Sequence, residues 1–92
     1  MEKIELNNNK YILEKNINNC FSLEETKNLI TDYFDDFDYI LGDYSYDKLR
    51  LKGFCNKENK RFSTINDIEK LEDYIQNYCS YKAKYFLLKK IN

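Results

Sequence analysis

The residues best equipped for chemistry in this sequence gather in one stretch, DYILGDYSYDKLRLKGF, at positions 38–54. Two tyrosines, Tyr44 and Tyr46, sit in what reads as a turn. Carboxylates lie at and before it, at Asp35, Asp36, Asp38 and Asp43, and cations follow at Lys48, Arg50 and Lys52, closing on Phe54. Three chemistries are open to such a set. Exposed rings in a turn can anchor a protein contact. Clustered aspartates can meet a basic partner or a divalent cation, although their spacing does not match an EF-hand loop. A basic strand that carries a ring can lie against RNA.

Catalysis is harder to assemble. The chain has no histidine, so the commonest general base is missing. It has neither a nucleophile elbow nor a glycine-rich phosphate loop. Its two glycines, Gly42 and Gly53, both fall inside predicted strands, where glycine makes room for a neighbouring ring or group. Cys20, Cys55 and Cys79 are odd in number and widely spaced, and they complete no zinc motif. They read as reduced cytosolic thiols, and a cysteine nucleophile would need another activator. The expectation is a non-enzyme with no cofactor and no bound metal.

Charge is divided along the chain. The formal net charge is −1, with acids dominating the first half and lysines the second. Such a division marks either a surface for a charged partner or two halves that attract each other. Asn, Lys, Ile and Tyr are abundant, as in a product of an AT-rich genome, so Arg50 and Arg61 say more than any single lysine. No apolar run approaches the roughly 18 residues of a membrane helix, and the acidic start lacks the features of a signal peptide. A cytoplasmic protein with no membrane contact is expected.

The elements that must position these residues follow from pattern. Ile4–Leu6 and Tyr11–Leu13 flank three asparagines and read as a small hairpin. Ser22, three residues before Glu25, opens a helix through a capping-box spacing, and Leu23, Leu29, Ile30, Tyr33 and Phe34 supply its apolar stripe to an end near Phe34. Strands 38–44 and 48–54 follow, then a polar loop 55–61. Thr64 or Asn66 caps a second helix that stops near Cys79 and Ser80. Residues 81–91 form a last strand, and continuous apolar character from Tyr85 to Leu88 makes it central or well covered.

Residues 1–92 are thus expected to be a single α+β domain, a mainly antiparallel sheet with two helices. A short N-terminal strand precedes the ferredoxin-like order β-α-β-β-α-β. A tight turn at Ser45–Tyr46, or a four-residue loop, pairs Asp43 with Lys48, Leu41 with Arg50 and Tyr39 with Lys52. Ile40, Gly42, Leu49 and Leu51 then share the helix-covered face. A three-residue loop would reverse the faces. The opposite, helix-free face is expected to display Lys48, Arg50, Lys52, Tyr39 and Phe54. Lys52–Gly53–Phe54 resembles the start of the RNP1 motif of RNA-recognition sheets, which Cys55 and Asn56 then break.

The same hairpin, together with LEDYIQNYCSYKAKYFLLK near the C-terminus, resembles the YutD-like family of short bacterial proteins over roughly residues 10–90. That resemblance implies a family and brings no catalytic residue with it. The first expectation is a non-catalytic protein-binding or adaptor module that uses Tyr44, Tyr46 or the aspartates. The alternative is RNA or ribonucleoprotein binding through Lys48, Arg50, Lys52 and Phe54.

Overall fold

Among the described residues, five strands make one sheet in the order β1-β2-β5-β3-β4, and every neighbouring pair is antiparallel. The computed structural model describes residues 2–78 and 84–92, without the side chain of Tyr78. β1 (Lys3–Leu6) and β2 (Asn9–Asn16) are joined by Asn7 and Asn8, with φ of 50° and 66°. Positive φ at both central residues is the geometry of a type I′ hairpin turn, whose twist matches the strands it joins.

Ser22 caps α1 (Leu23–Leu29) as expected, and its hydroxyl accepts from the Glu25 N–H at 3.2 Å. The helix is shorter than its sequence pattern. Ile30 leaves in extended backbone, and Asp32–Asp36 form a separate 3-10 turn. Continuing to Phe34 would have put three aspartates against the negative end of the helix dipole. The buried residue of α1 is Thr26, whose hydroxyl donates to the Ser22 carbonyl at 2.7 Å. Leu23, Leu29 and Tyr33 are exposed, while Phe34 reaches the core.

β3 (Tyr39–Ser45) and β4 (Lys48–Phe54) turn through Tyr46 and Asp47, with φ of 52° and 63°. The observed pairs are Ser45–Lys48, Asp43–Arg50, Leu41–Lys52 and Tyr39–Phe54. This is a two-residue shift from the expected register. An even shift leaves every side chain on its expected face, so Leu49 and Leu51 still share the Ile40 face, where they are half-buried. Aspartate tolerates left-handed backbone better than serine does, which favours a turn one residue later.

α2 (Leu71–Tyr78) follows a 3-10 turn, Ile68–Lys70. Asp67 caps that turn by accepting from the Glu69 N–H at 3.0 Å, in place of Thr64 or Asn66. Asn66 instead ties the preceding loop, accepting from Ser63 N–H and donating to the Arg61 carbonyl. β5 (Tyr85–Lys90) is central, between β2 and β3. The expected helix end at Cys79 and Ser80 and the strand start at 81–83 lie outside the described residues. The element order is the ferredoxin-like one after a first strand. In space, the two strands that follow helices, β3 and β5, lie side by side in the interior of the sheet.

Both faces of this sheet are covered, which corrects the expectation of a helix-free face. One core, including Ile4, Tyr11, Phe34, Phe37, Ile40 and Phe86, lies beneath the α1 side. The other, built on Leu41, Phe54, Leu71 and Leu87, lies beneath α2. The glycines admit rings from the first core. A Cβ on Gly42 would stand 2.1 Å from Phe86 Cζ, and one on Gly53 2.4 Å from Phe37 Cγ.

Candidate functional site: the β3–β4 hairpin and its edge

The two turn tyrosines part company. Tyr44 folds back over α1, where its hydroxyl donates to Glu25 Oε2 at 2.5 Å, with the Cys20 carbonyl oxygen 3.4 Å away. Burial first, then the Glu25 carboxylate, push its phenol up to about 12. Tyr44 is therefore a latch between hairpin and helix. Tyr46, two residues on, is 98% exposed.

The aspartates are mostly occupied within the fold. Asp35 accepts from the side-chain amides of Asn7 at 3.0 Å and Asn9 at 2.7 Å, and its carbonyl accepts from Lys90 Nζ. Asp36 pairs with Arg61 at 3.0 Å. Asp38 accepts from the Asn56 N–H at 2.8 Å and from Asn59 Nδ2 at 3.0 Å, which pins the 55–61 loop. Asp43 sits directly across the ladder from Arg50, and a two-pronged ion pair of 2.5 and 3.2 Å joins them. Its side chain is only 5% exposed, so Asp43 is not a surface acid. Among the described residues, no group of three or more His, Cys, Asp or Glu could hold a metal ion.

The basic strand is likewise not an open platform for bases. Phe54 is buried and meets Tyr74 edge-to-face with centroids 5.5 Å apart. Lys52 Nζ lies 5.3 Å from each of those ring centroids, a cation–π arrangement. Arg50 is committed to Asp43, and Lys48 is exposed beside the turn. Cys20 and Cys55 are free thiols, and burial pushes both up, away from the thiolate form.

Two features escaped the sequence reading. The first is a groove of about 320 Å³ beside Lys52, bounded by Phe54, Ile65, Lys70, Tyr74 and Asn77. Ile65 stands 76% exposed at its rim, and an isoleucine inside the polar run STIND was the one hint of it. The second is the outer edge of β4, which depends on strand order and leaves no trace in the sequence.

Comparison with known proteins places this arrangement. The family model YutD-like, described as "Putative antitoxin YutD-like", matches residues 5–89. A Bacillus subtilis (strain 168) protein called "Putative antitoxin YutD" is 36% identical over 86 residues, covering 94% of each chain. The solution NMR structure of protein yutD from B. subtilis superposes with a TM-score of 0.81 at 35% identity, over 100% of this chain and 84% of that one.

Proposed function

This chain belongs to the YutD-like family, and from that premise we propose that it is a non-catalytic protein-binding module of antitoxin type. Its partner on this reading is a toxin protein met in the cytoplasm, and the contact centres on the tip of the β3–β4 hairpin. The observation that carries the reading is Tyr46, a ring 98% exposed at φ 52°. Left-handed backbone costs a non-glycine residue roughly 1–2 kcal/mol, and strain kept at an exposed site is a pointer to function. Tyrosine is also among the residues that dominate protein interfaces, because it offers a large rigid surface with a polar end.

The relative's name speaks of an antitoxin, and neutralising a toxin by contact needs recognition without chemistry. The absence of histidine and the raised thiols agree with that. No helix among the described residues is long and apolar enough to cross a membrane.

The test is affinity capture with the intact chain from its native cells, with and without nuclease, compared with Tyr46→Ala. Recovery should resist nuclease. The substitution should weaken binding of the recovered protein by about 30-fold, the equivalent of roughly 2 kcal/mol at an interface anchor. Nuclease-sensitive recovery with a steep salt dependence would instead point to RNA.

A further inference from the structure

β4 is an outer strand of the sheet, and its backbone groups alternate in direction. After the two-residue turn, Lys48, Arg50 and Lys52 exchange N–H···O=C bonds with β3 in the pairs Ser45–Lys48, Asp43–Arg50 and Leu41–Lys52. The groups of Leu49, Leu51 and Gly53 therefore point away from the sheet. Cys55 has the same parity and confirms the direction. Its N–H donates to the Asn66 carbonyl at 2.8 Å and its carbonyl accepts from the Ile68 N–H at 3.1 Å, a parallel bridge to Asp67. Upstream of that bridge, the outward N–H and C=O groups of Leu49 and Leu51 have no partner among the described residues.

We propose that this open edge takes up an extended segment of a partner protein as a sixth strand, and that the segment alternates acidic with apolar residues. The inference rests on the protein-binding reading and gives the partner a chemical form. Strand addition draws its affinity from main-chain bonds and its selectivity from alternate side chains. On one face the added strand would continue Leu49 and Leu51, which pack against the first core, so its residues there are apolar. On the other face it would lie beside Lys48, Arg50 and Lys52, where acidic neighbours are favoured and like charges opposed. The groove next to Lys52, with Ile65 and Lys70 at its sides, receives the side chain at the end of the strand.

A second copy of this chain fits less well. Two β4 edges related by a two-fold axis at Leu51 would set Arg50 opposite Lys52 on both sides. Lysines on an edge strand are a known device against such self-pairing.

Amide hydrogen exchange of the intact chain, read by NMR, tests the idea with three capped probe peptides. One alternates glutamate and valine over seven residues, one alternates lysine and valine, and one is the glutamate peptide with alternate amides N-methylated. The glutamate peptide should slow exchange at Leu49 and Leu51 by at least about threefold, while the other two leave both amides unchanged. No slowing with the glutamate peptide, or equal slowing with the lysine peptide, overturns the proposal. So does slowing that grows with protein concentration alone, which assigns the edge to a second copy. Capture that depends on Tyr46 while the Leu49 and Leu51 amides ignore the peptide sinks strand addition and leaves the protein-binding reading standing. Slowed amides with capture indifferent to Tyr46→Ala leave the edge and remove the tip.

Discussion

The β1–β2 hairpin turns through Asn7 and Asn8, the β3–β4 hairpin through Tyr46 and Asp47, and all four residues have positive φ. Asparagine reaches that backbone with little penalty, whereas tyrosine does not. The first tip is also tied down, since Asn7 donates to both Asp32 and Asp35 at 3.0 Å and Asn9 joins them at 2.7 Å. The second tip projects Tyr46 into solvent, anchored only further down by Tyr44 on Glu25 and by Asp43 on Arg50. The same turn geometry thus serves structure in one place, with suitable residues and clamps, and display in the other, with an ill-suited residue and a firm base. A tip that binds a partner has to be rigid below and free above.

The comparison breaks first at the seat of the second hairpin. Gly42→Ala drives a methyl group into the Phe86 ring, so about 3 kcal/mol of stability should be lost. Urea unfolding reads this directly, and a loss below about 1 kcal/mol would mean the hairpin base is not rigid.

The clamp on the first hairpin comes next. Asp35→Ala removes the carboxylate that accepts from Asn9 and one of the two that accept from Asn7, and should cost about 1–2 kcal/mol. Exchange at the Asn7 and Asn8 amides should quicken while that at Tyr46 stays as it was. Equal quickening at both tips would erase the distinction between them.

Tyr46→Asn sharpens it from the other side. Relieving a left-handed tyrosine with no packing to lose should stabilise the chain by about 1 kcal/mol, while recovery of the partner falls. If the variant is no more stable, Tyr46 carries no strain and the argument from its backbone fails.

The smallest effect belongs to the Tyr44 latch. Its phenol is pushed from the ordinary 10.0 up to about 12. A group whose folded value is raised contributes stability that is complete below the unfolded value and drains away as pH climbs through the folded one. The Tyr44 contribution should therefore be intact below about pH 10 and disappear between about pH 10 and 12. The urea midpoint of Tyr44→Phe should fall less steeply than that of the parent across this window. Parallel slopes would show that the hydroxyl gains nothing from Glu25.

Much of this was open to reading along the chain. The order of strands and helices, the Ser22 cap, the asparagine turn and the division of β4 into leucine and basic faces all depend on residues within a few positions of one another. Local backbone preference and side-chain period are enough to specify them. The family was legible as well, because its resemblance lies in contiguous residues. The length of α1 is not legible there, because Leu29, Tyr33 and Phe34 continue an apolar spacing past its end. In the fold, Asp32 and Asp35 are drawn instead to Asn7 and Asn9, some 25 positions away.

What tertiary structure alone decided is which surfaces survive. Placing β5 between β2 and β3 leaves β4 on the edge. Seating α2 over Leu41 and Phe54 covers the inner part of the face that the alternation of Lys48, Arg50 and Lys52 made look open, and leaves Lys48 and Arg50 exposed along its outer rim. Pairing Asp43 with Arg50, and Tyr44 with Glu25, engages three of the candidate residues within the fold, while Tyr46 and Lys48 project into solvent. A side chain's type and period state that it must face something. Whether that something is a helix, a cross-strand ion pair or water is settled by strand register and by how the elements pack together, which side-chain type and period alone do not record.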